Sequence, residues 1–354
     1  MTAEDMINAF KRLGDDIRNN IDGGEYQEVL TKAQKVNPWF DKTMTTVAIK
    51  NLTYITDSLT SEMYAKKYGN TSKNLYNPSE NKQILVVCAG NVPAVAFHDI
   101  MCVLLSGCKV LIKLSSDDNV IIPFLLKRLT SFLPEAEPQI EYLKTHISDI
   151  KCGIDGVIAT GSNSSSLIFE QYFGDIPHII RRSRYSLAVI TPEDDISGLE
   201  DDICLYYGLG CRSISHLLVP EGYDFSLLIQ KLQKYSYISD SNKYRNNLDY
   251  QKAVMIMNNI GFIDAGAVLL RQNGELYSPV SVVNYSYYNN MEVVKKIIER
   301  EKDNLQCVTF SDRVDLNVNV ASLCRYGDNQ KPVFDDFADA VDTLKWACGI
   351  KKIK

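Results

Sequence analysis

The sequence lacks the short motifs that would identify a common chemistry directly. No two of its nine cysteines have C-x-x-C spacing, their odd number argues against a disulfide framework, and the four histidines show no metal-ligand spacing. There is neither a G-x-G-x-x-G segment, as in a simple dinucleotide-binding fold, nor a G-x-S-x-G segment, as in serine hydrolases. We therefore expect no metal site and a reducing compartment, in which most thiols are small buried side chains.

Long apolar runs and an excess of positive charge are also missing. No stretch approaches the roughly 18 apolar residues of a membrane span. The longest, residues 92–105, contains His98 and Asp99 and predicts a buried helix. The polar residues 1–20 have no apolar core of a signal peptide. With a net charge of −6 and no basic stripe, we expect a cytoplasmic protein that neither spans a membrane nor binds nucleic acid.

The pattern that is present indicates an α/β protein. A chain of 354 residues suits two modest domains. Positions 7, 10, 13 and 17 place apolar side chains on one helical face, a second helical pattern covers 38–66, and a polar turn at 70–81 marks a boundary. Strands then alternate with helices, which is typical of a parallel, doubly wound sheet. The predicted elements are strand 84–88, helix 93–106 with Pro93 in its first turn, strand 109–113, helix 119–131, strand 156–159 and helix 164–173.

A second α/β unit begins near residue 186. Its strands and helices again alternate, although less regularly. The predicted elements are a strand in YSLAVI, a helix 197–208, a Gly-rich turn leading into a strand or a helix, a helical region 224–259, strands in GAVLLR, SVVNYS and QCVTFS, and a helix 290–300.

Cys211 is the cysteine whose surroundings differ from those of the other eight. Gly208 and Gly210 precede it and allow a sharp turn that brings the backbone close to a ligand. Arg212 follows and would favour the thiolate, which is the nucleophilic form. We expect the other cysteines in the core, since they lie in apolar segments or lack such a turn. Local sequence leaves two roles open for Cys211, a nucleophile and a buried thiol at the start of a helix.

Polar residues follow three of the predicted strands of the first unit. Asn91 comes after the first, Lys113 ends the second, and Gly161 and Ser162 follow the third. Ligands bind at this edge of a doubly wound sheet. Asn91 is therefore a candidate oxyanion donor, Lys113 could hold a ribose or a phosphate, and the 161–162 turn could hold a pyrophosphate at a helix N-terminus. The alternatives are helix capping for Asn91 and a solvated strand end for Lys113.

Further polar groups in the first unit suit a phosphate. Ser115 and Ser116 come shortly after the strand at 109–113 and could donate to a 2′-phosphate. Three arginines cluster in HIIRRSRYS, and they could bind a phosphate of a cofactor or of a thioester carrier. Ion pairs at a domain hinge are the alternative for these arginines, which are Arg181, Arg182 and Arg184.

Five motifs stand in order along the chain: Asn-x-Pro after a strand, Gly-x-x-Val-x-x-Lys, Thr-Gly-Ser, a Gly-x-Gly-Cys turn and Glu-Leu-Tyr-Ser-Pro. Their order resembles the aldehyde dehydrogenase superfamily, and within it the bacterial acyl-CoA reductases, the LuxC-type fatty acid reductases of bioluminescence. The resemblance covers roughly residues 81–350. The segments that carry it are AGNVPAVAFHD, KVLIKLSSDD, VIATGSNSS, FGDIPHIIRRSRYSLAVI, YYGLGCRSIS, KYRNNLDYQKA and FADAVDTLKWA.

The resemblance implies a role for each candidate residue. Cys211 matches the nucleophile that accepts the acyl group, and Asn91 matches the asparagine that stabilises the oxyanion together with the Cys211 backbone amide. The cofactor-binding residues that it implies are Lys113 at the adenine ribose, Gly161 and Ser162 at the pyrophosphate, and Glu275 at the nicotinamide ribose.

Two departures from the family pattern indicate the direction of the reaction and the cofactor. Relatives that form free acids carry a glutamate in an E-L-G-G segment, where it activates water, and Arg181 stands in that place here. Without this base, water attack on an acyl-cysteine is slow, which favours reduction by hydride. NAD-preferring relatives often place a carboxylate three residues after the lysine. Ser116 holds that place and Asp117 comes one residue later, which favours NADPH.

The resemblance thus implies an aldehyde dehydrogenase-like fold and NADPH-dependent reduction of a long-chain fatty acyl group, from acyl-CoA or a partner protein, to the fatty aldehyde through a thioester. The alternatives are a reductase of another activated acyl group, such as an acyl phosphate, and a non-reducing acyl carrier or scaffold. A homo-oligomer and an acyl-activating partner protein are expected by analogy. The domains that we expect are a helical segment 1–80, an NADP(H)-binding domain 81–185, a catalytic thiol domain 186–310 and a C-terminal return segment 311–354.

Overall fold

Contacts divide the chain into two units, and the C-terminal residues return to the first of them. The computed structural model describes residues 1–72, 82–144, 150, 153–311 and 318–352. Unit 1 consists of Met1–Ser183, Lys331–Phe337 and Val341–Lys354, and unit 2 consists of Arg184–Gln330 and Ala338–Ala340. Cys152 and most of the turn predicted at 70–81 lie outside the described residues. The domain boundaries at 80, 185 and 310 stay predictions.

Four helices of the described chain precede the first sheet: α1 (Ala3–Asn20), α2 (Gly24–Val36), α3 (Lys42–Ser58) and α4 (Ser61–Tyr68). Helix α1 begins at a capping box, in which the Thr2 hydroxyl accepts the Asp5 backbone N–H and the Asp5 carboxylate accepts the Thr2 N–H. Its predicted apolar face, at positions 7, 10, 13 and 17, is fully buried. The pattern predicted as one helix at 38–66 is two helices, because the Thr60 hydroxyl caps α4.

The first sheet has five described strands, all parallel, in the order β3-β2-β1-β4-β5. The inner strands are almost wholly apolar because helices cover both faces of such a sheet. The doubly wound arrangement predicted for this region is confirmed. Its elements are β1 (Gln83–Val87), α5 (Phe97–Leu105), β2 (Lys109–Lys113), α6 (Ile121–Phe132), β3 (Ile140–Tyr142), β4 (Gly156–Thr160), α7 (Asn163–Phe173) and β5 (His178–Arg181).

The helix predicted at 93–106 begins only at Phe97. Ala94 has a φ of 57°, in the left-handed region, and residues 93–96 form a turn. The buried Asp118 carboxylate holds this turn by accepting the Ala94 backbone N–H at 2.8 Å. The placement of Pro93 in the first helical turn is therefore wrong, because a contact from the loop after β2 decides the backbone conformation here.

The apolar run at 92–105 contains the buried helix α5, as predicted. Every residue of α5 except His98 is buried. His98 Nε2 lies 3.0 Å from the Phe334 carbonyl oxygen, and the His98 ring stacks on Phe337. Within the described ranges, no helix combines the length and apolar character that crossing a membrane requires.

The second sheet has seven described strands in the order β12-β11-β6-β7-β10-β9-β8. Neighbouring strands are parallel except β8 and β9, which are antiparallel. Both units are therefore α/β, as predicted. The elements of this unit are β6 (Tyr185–Val189), α8 (Leu199–Cys204), β7 (Ile214–Pro220), α9 (Ser226–Leu232), α10 (Asn242–Met257), β8 (Phe262–Asp264), β9 (Leu269–Gln272), β10 (Val282–Tyr288), α11 (Met291–Glu301), β11 (Leu305–Thr309) and β12 (Ser322–Cys324).

The helix predicted at 197–208 is shorter than expected. Helix α8 ends at Cys204, and a 3-10 turn, Leu205–Gly208, follows it. Tyr206 and Tyr207 in that turn have left-handed backbones, with φ of 55° and 59°, which no helix can include. The prediction is wrong for these residues, because the apolar sequence pattern continues through the turn although the helical backbone conformation ends before it.

Other differences arise from turns and from short strands. The helical region predicted at 224–259 is α9 and α10 separated by the 3-10 segment Gln233–Asp240, and the segment after the Gly-rich turn is the strand β7. The sequence did not predict β3, β5, β8 or β12. All four are sheet edges of three or four residues, too short for a periodic apolar signal.

Helix α12 (Thr343–Gly349) packs against α5 and so belongs to unit 1. It buries Thr343, Leu344 and Ala347 on one face. Cys348 lies outside that face and is exposed. The expectation that every cysteine other than Cys211 is a core residue is therefore wrong for Cys348.

The three arginines of HIIRRSRYS all form ion pairs. The Arg181 Nη2 atom donates to Asp99 Oδ1 at 2.7 Å and to Thr343 Oγ1 at 2.8 Å, and all three side chains are buried. Arg182 pairs with Glu170 on the surface, and Arg184 pairs with Asp339 within unit 2. Of the two roles left open by the sequence, the ion-pair role is the one that these contacts show.

Replacing Arg181 by leucine should destabilise the protein strongly. The buried Asp99 carboxylate would lose its cation, and removing one partner of a buried pair typically costs about 3–5 kcal/mol. The free energy of unfolding, measured by urea denaturation, should fall by that amount. Arg182→Leu is the matched control, since its exposed pair with Glu170 is worth less than about 1 kcal/mol. Equal effects of the two variants would contradict this account.

Candidate active site

The turn that carries Cys211 begins where α8 ends. Tyr206, Tyr207 and Gly208 all have positive φ, of 55°, 59° and 70°. A glycine adopts this conformation without strain, but each tyrosine is strained, and such strain persists only where the surroundings enforce it. The chain then passes Cys211 and enters β7.

Accessibility separates Cys211 from most other thiols. Six described cysteines are buried, namely Cys88, Cys102, Cys108, Cys204, Cys307 and Cys324. Burial raises the pKa of Cys88 to about 12 and also raises the pKa of Cys108. These thiols stay protonated and are poor nucleophiles. Cys211 is half-buried, and Cys348 is exposed on a helix. Among the described cysteines, only Cys211 combines access with a strained turn.

Side chains and backbone from neighbouring strands fix the peptide groups beside the thiol. The buried Ser186 hydroxyl of β6 donates to the Cys211 carbonyl oxygen at 2.8 Å and accepts the Cys307 backbone N–H at 3.0 Å. The Ser213 N–H donates to the Gly210 carbonyl oxygen at 3.0 Å. Because the carbonyl and N–H of a trans peptide point in opposite directions, this bond aims the Cys211 N–H away from the inside of the turn.

Arg212 is held by a segment that is distant in sequence. Its Nη1 atom lies 3.6 Å from Cys307 Sγ and 3.4 Å from the Asn329 carbonyl oxygen. Its own carbonyl oxygen accepts the Asn329 side-chain N–H at 2.9 Å. Neither Ser186 nor Asn329 was predicted from the sequence, because no local pattern connects either residue to the turn. Stabilisation of the Cys211 thiolate by Arg212 stays a prediction.

Asn91 is exposed in the loop after β1. The Cys88 N–H donates to the Lys113 carbonyl oxygen at 2.9 Å, which extends the pairing of β1 and β2 and places their following loops side by side. Helix α5 begins at Phe97 with Ala96 in the N-cap position. Asn91 therefore does not cap this helix, and that alternative is excluded.

The loop after β2 packs tightly against the loop of Asn91. A β-carbon on Gly90 would lie 2.5 Å from Ser115 Oγ and 2.8 Å from Asp117 Cβ, so only glycine fits there. Ser115 is half-buried, and its hydroxyl accepts the Asp117 N–H at 3.2 Å. Ser116 and Asp117 are exposed, while Lys113, the last residue of β2, is half-buried. Ser116 is thus accessible at the carboxyl edge of the sheet.

Gly161 and Ser162 follow β4, which pairs with β1 on the side opposite β2. A β-carbon on Gly161 would lie 2.8 Å from Ser165 Cβ, so this glycine allows strand and helix to pack closely. The Ser162 hydroxyl caps α7 by accepting the Ser165 N–H at 3.2 Å, and it lies 2.9 Å from Ser164 Oγ. Strand order reverses between β1 and β4, and doubly wound sheets bind ligands at such a switch point. Gly161 and Ser162 follow the strand on one side of this switch point, and Asn91 follows the strand on the other side.

Glu275 lies in an exposed loop of unit 2 that buried polar side chains hold from beneath. The Asn284 side-chain N–H groups donate to the carbonyl oxygens of Glu275 at 2.9 Å and Tyr277 at 2.8 Å. His216 Nδ1 also lies 2.9 Å from the Glu275 carbonyl oxygen. His216 belongs to β7, the strand that the Cys211 turn enters. Strand β7 therefore follows the Cys211 turn and also carries His216, which contacts the Glu275 loop.

His216 is neutral and has a defined tautomer. It is fully buried, and burial lowers its pKa to about 4. The Glu275 carbonyl can only accept, so Nδ1 carries the proton and donates to it. Nε2 lies 2.8 Å from Ser286 Oγ and then accepts the hydroxyl proton.

The two units each bring together part of the predicted site. In unit 1, the carboxyl edge of the first sheet holds Asn91, Lys113, Ser115, Ser116, Gly161 and Ser162. In unit 2, β7 and its neighbours hold Cys211 and the Glu275 loop. No cluster of His, Cys, Asp or Glu in the described part of the chain could hold a metal ion. The catalytic and cofactor-binding roles of these residues stay predictions.

The sequence profile of the acyl-CoA reductase (LuxC) family matches residues 36–327. The chain belongs to this family. The match confirms the resemblance found in the sequence and identifies the protein as an acyl-CoA reductase. A search of curated proteins found no match.

Solved structures that are similar to this acyl-CoA reductase chain are aldehyde dehydrogenases. A double mutant of betaine aldehyde dehydrogenase from Staphylococcus aureus, in complex with NAD+ and with a BME-modified cysteine, is 12% identical with a TM-score of 0.66, over 92% of this chain and 77% of that one. A mutant 1-pyrroline-5-carboxylate dehydrogenase from Thermus thermophilus is 11% identical with a TM-score of 0.65, over 98% and 80%. The Delta-pyrroline-5-carboxylate dehydrogenase from Mycobacterium tuberculosis is 13% identical with a TM-score of 0.62, over 99% and 78%. These matches confirm the aldehyde dehydrogenase-like fold.

Acid should destabilise the protein through His216. Between about pH 6.5 and about pH 4, the unfolded chain binds a proton at this position that the folded chain does not. The contribution of His216 to stability therefore falls as the pH falls through this window, by roughly 2 kcal/mol at pH 5. Urea denaturation near pH 7.5 and pH 5 should show that the wild type loses this amount relative to His216→Asn, whose amide can still donate to the Glu275 carbonyl, since every other titrating group is common to both proteins.

The matched control for this prediction is His178→Asn. His178 is exposed, and its Nδ1 lies 2.7 Å from the Ile176 carbonyl oxygen. This variant should keep the pH response of the wild type. A His216→Asn protein with the same acid sensitivity as the wild type would rule out His216 as the cause.

Proposed function

We propose that the protein uses NADPH to reduce an activated long-chain fatty acyl group to the fatty aldehyde, through a thioester on Cys211. The observation that carries this proposal is the Cys211 turn, in which a half-buried thiol follows three residues of positive φ and has its flanking peptides fixed. Membership in the acyl-CoA reductase family supplies the substrate class. A homo-oligomer and a partner protein that activates the acyl group stay predictions from the resemblance.

The first step is acyl transfer to the protein. The Cys211 thiolate attacks the acyl carbonyl carbon, and a carbon–sulfur bond forms while the carbonyl oxygen takes up the negative charge. Collapse of this tetrahedral species breaks the bond to the carrier sulfur, and the carrier leaves as its thiolate, which takes a proton from the solvent. Because the turn is already fixed by the Ser186 hydroxyl, little reorganisation is needed to present the sulfur.

Two donors stabilise the oxyanion in this proposal. One is the Cys211 backbone N–H, and the hydrogen bond from Ser213 to the Gly210 carbonyl supports this role because it directs that N–H out of the turn. The other, implied by the resemblance, is the side chain of Asn91, which is exposed. The contact between Asp118 and Ala94 orders the backbone just beyond Asn91.

The polar groups at the carboxyl edge of the first sheet fit a dinucleotide. The hydroxyls of Ser162 and Ser164 at the N-terminus of α7 suit a pyrophosphate, and Lys113 suits the adenine ribose. The similar betaine aldehyde dehydrogenase is in complex with NAD+. NADPH, when bound, supplies the hydride that reduces the thioester carbon. Ser116 is neutral and exposed, which suits a 2′-phosphate, and Glu275 would orient the nicotinamide ribose.

The product of this scheme is the aldehyde. After reduction, the Cys211 sulfur leaves as thiolate and the carbonyl of the aldehyde forms. Release of a free acid would instead need a base that activates water. In the place of the glutamate that acid-forming relatives carry, this chain has Arg181, whose guanidinium is buried against Asp99. This arrangement supports reduction over hydrolysis.

Acyl-CoA without NADPH should leave one acyl group on Cys211. Mass spectrometry of the intact protein and its peptides should locate the added mass on the peptide that contains this residue. Cys211→Ser should abolish the adduct, whereas Cys348→Ser, which removes the other accessible thiol among the described cysteines, should keep it. Asn91→Ala should slow adduct formation by about 100- to 1000-fold, as removal of an oxyanion donor typically does.

Other outcomes of this experiment separate the alternatives. An adduct on Cys348 alone, or no adduct, contradicts the proposed thioester. An adduct on Cys211 that NADPH does not discharge indicates an acyl carrier. Consumption of NADPH with acyl phosphates but not with acyl-CoA indicates a reductase of a different activated acyl group.

Ser116→Asp should shift the cofactor preference from NADPH towards NADH. A carboxylate there would repel the 2′-phosphate and could accept hydrogen bonds from ribose hydroxyls. The ratio of kcat/KM with NADPH to that with NADH should fall at least about tenfold, which corresponds to about 1.4 kcal/mol. Asp117→Asn removes the neighbouring charge and should not lower this ratio. An unchanged ratio in Ser116→Asp would argue against a 2′-phosphate near Ser116.

A further inference from the structure

Residues 327–330, which follow β12, contact the chain on both sides of Cys211. On the side before the turn, the Asp202 carboxylate of α8 accepts the Gly327 N–H at 2.7 Å and the Asn329 N–H at 3.1 Å. On the side after it, the Asn329 side chain donates to the Arg212 carbonyl oxygen at 2.9 Å. Gln330 Nε2 donates to the Ser213 hydroxyl at 3.3 Å. Residues 327–330 therefore hold the backbone between α8 and β7 at both of its ends.

The amide of Asn329 has a single orientation. Asn329 is fully buried, and the Thr309 hydroxyl donates to its Oδ1 at 2.8 Å. The Arg212 carbonyl can only accept, so Nδ2 must face it. The Asn329 carbonyl oxygen in turn accepts from Arg212 Nη1 at 3.4 Å. Asn329 therefore holds both the backbone and the side chain of the residue after Cys211.

These contacts of residues 327–330 help the Cys211 turn to keep its strained backbone. Tyr206 and Tyr207 are left-handed, and such conformations persist only when surrounding contacts enforce them. The Cys211 carbonyl is fixed from β6 by Ser186, and the next carbonyl along the chain is fixed by Asn329. Releasing either one would let the peptides beside the thiol rotate.

We infer that residues 327–330 form the element that positions Cys211, with Asn329 as its positioning residue. Asn329 acts through the Arg212 carbonyl and is buried, so its role is to orient the nucleophile. The importance of that orientation for acyl transfer rests on the proposed function. Asn329 lies beyond residues 36–327, the part of the chain that matches the family.

The test replaces Asn329 by aspartate. The carboxylate cannot donate, and it would place a negative oxygen against the Arg212 carbonyl. The rate of Cys211 acylation by acyl-CoA should fall by about 10- to 100-fold, the effect expected of a displacement near 1 Å. Hydrogen exchange of the amides at 209–213 should become faster, because the turn opens more often. NADPH binding, followed by fluorescence, should keep its wild-type Kd.

Two further variants make the test specific. Asn258→Asp is the matched control, since Asn258 also donates its side-chain N–H to a backbone carbonyl but lies exposed at the end of α10. It should leave both the acylation rate and the exchange at 209–213 unchanged. Thr309→Val removes the partner that orients the Asn329 amide without adding charge. It should produce smaller changes in the same direction and decides the question if Asn329→Asp does not fold.

The two readouts separate this inference from the proposed function. Unchanged hydrogen exchange at 209–213 in both Asn329→Asp and Thr309→Val overturns the positioning role, even if Cys211 is acylated normally in the wild type. If exchange is faster in the variants but the wild type forms no acyl adduct, the positioning role is supported and the proposed function is contradicted. An equal slowing of acylation in Asn258→Asp also overturns the inference.

Discussion

The buried hydroxyl of Ser186 connects the Cys211 turn to the second sheet. It donates to the Cys211 carbonyl and accepts an N–H from β11, so the turn is attached to two neighbouring strands at once. A hydroxyl is the smallest side chain that can donate and accept in this way. The position of the sulfur thus depends on the pairing of parallel strands in the second sheet. Asn329 adds a second attachment at the next carbonyl.

In the first unit, as in the second, a buried polar side chain fixes the backbone of a loop at the edge of the sheet. Its carboxyl edge consists of loops that leave β1, β2 and β4, and their spacing follows from the strand order. Gly90 lets two of these loops touch, and the buried Asp118 carboxylate holds the left-handed backbone at Ala94. Burial raises the pKa of Asp118 to about 6, against the effect of two backbone N–H donors. Compact polar contacts therefore set the edge on which Asn91 lies.

The buried pair of Arg181 and Asp99 links the architecture to the chemistry. Arg181 ends β5, and Thr343 of the returning C-terminal helix completes its contacts. The cation is therefore part of the core of unit 1, and a glutamate could not replace it without leaving Asp99 beside a second carboxylate. In the proposed function, the residue that stands in the place of the water-activating glutamate is thus also the residue that contacts the C-terminal helix.

The sequence by itself determined the alternation of strands and helices, the unusual setting of Cys211 and the order of motifs that indicates the family. These signals are local, because apolar periodicity, glycine spacing and short motifs need only neighbouring residues. Tertiary structure alone decided the late start of α5, the left-handed backbone at Tyr206 and Tyr207, and the edge strands. It also decided that Asn329 reaches the residue after Cys211, since such a hydrogen bond joins positions far apart in the chain and exists only once the strands between them have paired.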